Sequence, residues 1–284
     1  MTSTVQRRKI GLALGGGGAR GLAHIGVLKV LRGEGILIDT IAGTSMGGVV
    51  GAMAAAGMSV LEMEAAAFQT ISKPTDALRL LDISLSQSGL LKGSRIYDLM
   101  ANTLGATRTF ADLQLPFAAV AVDVNTGREV ILRDGLLVDA IRATISVPGV
   151  FVPVTLGPYR LVDGGVLNNV PVDVARQLGA DVVIAVDVLP SFGENEPGLP
   201  PKVQRLHAPR LPKAYRGLWN IQMIMISALT EYRLKESGPE VIIRPDLPTD
   251  LDLFAGFDRP EVAIAAGVKA AQSALPQIRL LLQE

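Results

Sequence analysis

Residues Ile36–Gly51 read ILIDTIAGTSMGGVVG. An apolar run from Ile36 to Ala42 ends in Gly43-Thr44-Ser45-Met46-Gly47, and no charged residue follows until Glu62. The pattern predicts a strand, a sharp turn and a buried helix. Ser45 falls at the apex, where a strained backbone exposes the hydroxyl. Gly43 and Gly47, two residues before and two after it, leave room for strand and helix to pass close together. Ser45 also falls at a helix N-terminus, where free amides and the helix dipole favour negative charge. That setting suits a nucleophile. Gly-x-Ser-x-Gly also arises by chance in glycine-rich chains, and a tight turn before a small-residue core helix explains the pentapeptide equally well. The rest of the chain decides between the two.

Upstream, Lys9–Leu14 reads as a strand entering Gly15-Gly16-Gly17-Gly18-Ala19-Arg20-Gly21. Leu22, Ile25, Val27, Leu28, Val30 and Leu31 follow at helical spacing, and Gly33 and Gly35 end that helix. Strand, glycine loop, helix and strand make a βαβ unit, which implies a parallel sheet. The loop has three readings. Gly16, Gly18 and Gly21 fit the dinucleotide pattern, with Asp39 placed near where a ribose-binding acid falls. Against this, Asp39 precedes Thr40, Ile41 and Ala42 instead of ending the second strand. A phosphate-binding loop is discarded because no Gly-Lys-Ser/Thr follows. In the third reading successive glycine amides point at one developing oxyanion, each donor being worth about 3 kcal/mol in the transition state. Arg20 opposes the dipole of the helix it opens. It either pairs with a nearby carboxylate, the favoured reading, or attracts an anionic substrate group.

The 284 residues are 49% hydrophobic and 19% charged, enough for one large α/β domain or two small ones. Lys+Arg and Asp+Glu both total 27, so no global basic field recruits nucleic acid or an anionic membrane. The absence of cysteine excludes disulfides, thiolate catalysis and cysteine-held metals, and leans towards a cytoplasmic protein. Arg7-Arg8 before Ile10–Leu14 imitates a twin-arginine export signal. The apolar stretch dissolves into four glycines, so a buried strand is expected, with export as the alternative. Thr40–Leu61 carries no charge and is long enough to span a bilayer. It begins inside a strand pattern and is mostly Ala, Gly, Met and Ser, so a buried helix is expected instead.

Downstream, Val60–Ser72 and Ser94–Leu104 read as helices around an irregular Lys73–Gly93, a candidate cover for the site. Leu115–Asp123 and Arg128–Leu132 read as strands about an Asn125-Thr126-Gly127 turn, with Asp123 as a turn acid. Leu136–Ala143 reads as a short helix, and Ser146–Pro153 as a proline-punctuated connection. Tyr159–Val162 is a strand ending in Asp163-Gly164-Gly165, which puts a carboxylate on a glycine turn. Val170–Leu178 is a helix and Asp181–Val188 an apolar strand of parallel-sheet type. Leu189–Pro212 is a Pro- and Gly-rich loop. Leu218–Leu234 is an apolar helix expected to pack as core, although it could contact lipid. Val241–Ile243 is a late strand and Pro260–Leu282 a closing helix.

A nucleophilic Ser45 needs a base, and the chain has 2 histidines. His24 falls on or near the apolar face of the first helix. His207 lies in the Pro/Arg-rich loop. Ser45, Asp163 and His207 follow the chain order of an α/β-hydrolase triad, but there the nucleophile comes after more strands. The simpler reading is a dyad in which Asp163 takes the proton from Ser45 in concert with attack, in a dry site.

Gly15–Gly21 (GGGGARG), Gly43–Gly47 (GTSMG), Asp163–Gly165 (DGG) and Ala143–Pro153 (ATISVPGVFVP) together resemble the signature blocks of patatin-like phospholipases. The resemblance runs from about Lys9 to Leu178 in the right order. It implies a three-layer α/β/α sandwich with a mainly parallel central sheet. It also implies hydrolysis of lipid acyl esters of the phospholipase A, lysophospholipase or carboxylesterase type, without metal or other cofactor. It maps the nucleophile onto Ser45, the proton acceptor onto Asp163 and the oxyanion hole onto Gly16, Gly17 and Gly18, with Gly21, Gly43, Gly47, Gly164 and Gly165 as motif glycines. Residues 9–284 are expected to form one domain, its catalytic core at about 9–178 and completed by about 189–284. The expected partners are a lipid or acyl-ester substrate and a membrane or micelle surface, with no nucleic acid. Two rivals remain. One is a binding or regulatory protein that keeps the fold, and the other is a dinucleotide-dependent oxidoreductase.

Overall fold

The computed structural model describes residues 7–70, 82, 91–190, 213–252 and 255–283. Its strands are β1 (Ile10–Leu14), β2 (Thr40–Thr44), β3 (Phe117–Asp123), β4 (Arg128–Leu132), β5 (Val154–Leu156), β6 (Tyr159–Asp163), β7 (Val182–Val186) and β8 (Val241–Ile243). They form one 8-stranded sheet in the order β5-β6-β3-β2-β1-β7-β8, with β4 also on β3. The run from β3 through β2, β1 and β7 to β8 is parallel, and β4, β5 and β6 add an antiparallel end. The helices are α1 (Ala23–Gly33), α2 (Met46–Ala55), α3 (Val60–Thr70), α4 (Ser94–Leu104), α5 (Leu137–Thr144), α6 (Val172–Gln177), α7 (Lys213–Ser237) and α8 (Pro260–Gln283).

The period-2 alternation of the strands sorts the core into two faces. Leu12, Leu14, Ile41, Phe117 and Ile184 face α1, α2, α3, α5 and α8. The intervening Ala13, Ala42, Ala118, Val183 and Ala185 face α6 and Leu234 of α7. The result is the expected three-layer α/β/α sandwich. α1 and α8 approach backbone to backbone: a Cβ on Gly26 would meet the Ile264 carbonyl, and one on Gly267 the Ala23 carbonyl.

Two local readings change. β2 begins at Thr40, not Ile36, because Asp39 is occupied at the strand's foot. Its carboxylate accepts from the Ile10 amide at 2.7 Å and pairs with Arg7, at the opposite end of β1 from the glycine loop. A ribose-binding role for Asp39 is thereby excluded. β5, following Pro153, is absent from the sequence reading. The uncharged Thr40–Leu61 is divided among β2, α2 and the start of α3, and no helix among the described residues is long and apolar enough to cross a membrane. Ser72, His207 and most of Lys73–Gly93 and Leu189–Pro212 lie outside the described residues.

Candidate active site

β3 explains how two motifs more than a hundred residues apart meet. β2 pairs with it along Phe117–Val120, ending with Thr44 opposite Val120. β4 takes the other edge along Ala119–Asp123. β6 therefore shares the β2 edge, running antiparallel along Ala121–Asp123 with Asp163 opposite Ala121. β2 and β6 abut end to end on one strand, and the residue after Thr44 meets the last residue of β6.

That residue is Ser45. At φ 53° and ψ −123° it is the only non-glycine residue with positive φ among those described, a conformation costing of order 1–3 kcal/mol. Its surroundings hold it there. The Ser45 amide donates to Thr144 Oγ1 at 2.9 Å, and the Thr144 hydroxyl donates to the Val120 carbonyl at 2.5 Å. The Thr44 hydroxyl donates to the Asn168 carbonyl at 2.8 Å. The turn is tight enough that a Cβ on Gly47 would land on the Leu14 carbonyl, and one on Gly43 on the Gly47 carbonyl.

Asp163 is 5% exposed. Its Oδ1 accepts from the Gly165 amide at 2.8 Å, and the Ser45 side chain lines the same cleft and favours its ionised form. Burial pushes its pKa up to about 6, against the pull of the Ser45 side chain and the Gly165 amide. The Asp163 amide donates to the Ser146 carbonyl at 2.9 Å. Ser146 is fixed in turn by the buried Arg142 guanidinium, which donates to its Oγ at 2.6 Å. The end of α5 thus holds both Ser45, through Thr144, and Asp163, through Ser146. Gly164 lies against the Val120 backbone.

The glycine loop faces the pair. The Gly15 amide extends the β1–β7 ladder to Val186 at 3.0 Å, and the Gly16 amide donates to the Asn169 carbonyl at 3.3 Å. Among the described residues the Gly17 and Gly18 amides have no acceptor, and both glycines line the same cleft as Ser45. Gly18 takes φ +58° to begin a 3-10 turn over Gly18–Leu22, with Gly21 packed on Met46. Arg20 is buried. Its Nε donates to the Val188 carbonyl at 2.6 Å and its Nη1 to that of Pro248 at 3.1 Å, in the field of Asp187, Asp246 and Asp252. Its role is to fasten the loop, through carbonyls instead of the expected direct carboxylate pair. His24 is wholly buried, and its Nε2–H donates to the Gly15 carbonyl at 2.7 Å. Burial lowers its pKa to about 4, so it is a neutral support beneath the loop. Asp123 is the turn acid expected, accepting from the Thr126 hydroxyl and the Arg160 amide.

These groups line an open cleft whose enclosed volume is about 70 Å³. Its floor holds Gly16–Gly18, Ser45, Asp163 and Asn169, and its walls come from Val147, Pro148, Leu189, Pro190, Trp219, Met223 and Ile226. A polar floor under apolar walls suits a substrate with one reactive polar group on a hydrocarbon body. The sequence reading missed Thr144, Asn169 and the α7 wall. Thr144 lies within the Ala143–Pro153 block, but nothing in its local sequence separates a bridging hydroxyl from an ordinary helix-end threonine.

The model of the family described as "Patatin-like phospholipase" matches residues 12–176, more than half of the chain. The chain belongs to that family. An uncharacterised NTE family protein of Mycobacterium tuberculosis is 42% identical over 180 residues, covering 63% of this chain and 49% of the relative. Patatin-like phospholipase domain-containing protein 7 of Rattus norvegicus is 37% identical over 183 residues, covering 63% of this chain and 13% of the relative. The chain thus spans about half the length of the mycobacterial relative and less of the rat one. Among solved structures, VipD from Legionella pneumophila superposes with a TM-score of 0.57 at 12% identity over 95% of this chain and 67% of its own, a likeness of fold. The patatin-like match ends in α6. The α7 wall of the cleft, with Trp219, Met223 and Ile226, lies beyond it.

Proposed function

We propose that this patatin-like protein is a serine hydrolase of lipid acyl esters, of the phospholipase A, lysophospholipase or carboxylesterase type. The observation that carries the reading is Ser45 placed beside the buried carboxylate of Asp163 and two glycine amides that have no acceptor among the described residues, all lining one largely apolar cleft. Ser45 Oγ attacks the ester carbonyl while its proton passes to Asp163. Burial strips the carboxylate of water and raises its basicity, which suits it to that transfer. The carbonyl oxygen becomes an oxyanion facing the Gly17 and Gly18 amides, with Gly16 holding the loop's register against Asn169. As the tetrahedral species collapses, the leaving alcohol takes the proton from Asp163 and the acyl group stays on Ser45. Water then gives a proton to Asp163 and attacks the acyl-enzyme. The fatty acid leaves, and the proton returns to Ser45. The reading extends to residues 9–284 as one domain, since β8 and α8 complete the same sheet and core. It also includes contact with a membrane or micelle, where such esters reside.

A fluorophosphonate probe tests it. Wild type should label and Ser45→Ala should not. Asp163→Asn should label at least ~100-fold more slowly, as expected for loss of a general base. Because the base must be ionised, wild-type kcat/KM should climb with pH through about 6. A folded wild type that stays unlabelled, with and without micelles, would favour the non-catalytic binding protein instead.

A further inference from the structure

α7 is apolar on two sides. Its inner side presents Trp219, Met223 and Ile226 to the cleft. Its outer side presents Leu218, Ile221, Ile224 and Met225 to solvent, at 63%, 57%, 49% and 65% exposure. At 100° per residue, positions 218, 221 and 225 fall on one stripe with 224 beside it, turned away from the inner set. No charged residue occurs between Arg216 and Glu231, where a helix facing water ordinarily carries its charges. Among the described residues the ion pairs of α7 lie in its far half, where Arg233 pairs with Glu129 of β4 and Asp173 of α6. The half that walls the cleft is the half that carries the stripe.

We propose that the outer stripe of α7 is inserted in the surface of a lipid aggregate, so that the cleft opens against the phase that holds its substrate. The inference rests on reading the cleft as the acyl-ester site. One helix then contacts hydrocarbon on its outer side and the acyl chain on its inner side, and the substrate passes around it without crossing water. Four side chains on one short stretch of helix fall short of the roughly 800 Å² per partner of a stable protein–protein interface. They suit an amphipathic element lying in a lipid surface. With no charge on the stripe and a net charge of +0 for the chain, attachment is apolar. A zwitterionic surface should suffice, at low or high salt.

The test uses the whole chain, phosphatidylcholine vesicles and a double variant, Ile221→Glu with Met225→Glu. Neither residue lines the cleft. Wild type should float with the vesicles at low and high salt. The double variant should lose flotation and at least tenfold of its hydrolysis of vesicle lipid. It should keep wild-type turnover of a short-chain ester dissolved as monomers, which also shows that it is folded. A variant that floats and cleaves vesicles like wild type overturns the proposal while leaving the site reading intact. A variant that turns a dimer into a monomer in light scattering without changing flotation assigns the stripe to a second copy, and also overturns it. A wild type inert on both substrates sinks the site reading alone, and loss of flotation in the variant still supports the stripe.

Discussion

At the scale of single residues, the site depends on a side chain that performs no chemistry. Thr144 Oγ1 accepts from the Ser45 amide and donates to the Val120 carbonyl, with 0% exposure. Thr144→Val keeps the shape and removes both bonds, orphaning a buried donor and a buried acceptor at about 1–3 kcal/mol each. The residue that loses its tether is also the strained one, so relaxation of the Ser45 backbone moves the hydroxyl off Asp163. Urea denaturation of Thr144→Val should show a loss of about 2–6 kcal/mol, and fluorophosphonate labelling should slow at least tenfold. Thr144→Ser, which restores the hydroxyl, should recover the labelling rate even where some stability stays lost with the methyl. Equal labelling in Thr144→Val and wild type would show that the elbow holds itself. The sequence made Ser45 and Asp163 legible because glycines flank each of them. Thr144 was not, because its function exists only once the register of β3 brings Ser45 and Val120 to either side of it.

At the scale of elements, the same strand register decides the architecture. The parallel centre was legible in apolar runs separated by a glycine loop and a helix, since period and chain reversal are local. The antiparallel end was legible only in part. The hairpin of β3 and β4 carries its own turn signal in Asn125-Thr126-Gly127, with Gly127 at φ +66°. Nothing local says that β6 docks on the β3 edge left free where β2 stops, or that the short β5 follows Pro153. Long-range pairing of short strands is chosen by the edge available, not by propensity. The crossing of α2 over the end of β1 fixes where β2 must stop, and Gly47 is its closest point. Gly47→Ala places a methyl on the Leu14 carbonyl, and backbone cannot yield as a flexible side chain does. The expected cost is about 3 kcal/mol or more, with labelling of Ser45 lost even in whatever folds. A Gly47→Ala protein with wild-type melting and labelling would mean that α2 can lift away from β1 freely.

At the scale of the whole molecule, two buried titratable groups pull stability in opposite directions over one pH range. Asp163 has its pKa raised from 3.8 to about 6, so between those values the native state holds a proton that the unfolded chain has released. Stability therefore falls as pH rises through that window. His24 has its pKa lowered from 6.5 to about 4, so there the unfolded chain holds the extra proton, and stability rises with pH. Each shift corresponds to about 3 kcal/mol at 1.36 kcal/mol per unit, and the two nearly cancel in the wild type. The cancellation hides what the site costs, and single variants should reveal it. In urea titrations across this range, the stability of Asp163→Asn relative to wild type should increase by about 3 kcal/mol from pH 4 to above pH 6 and then level off. The variant gives up the base but no longer keeps a desolvated anion in the core. His24→Gln, which can still donate to the Gly15 carbonyl, should gain on wild type in the other direction, as pH falls from 6.5 towards 4. Flat difference curves for both variants would mean that neither group is desolvated as its burial requires. A slope for His24→Gln alone would place Asp163 in contact with water, where a carboxylate is too weak a base to take the proton from Ser45.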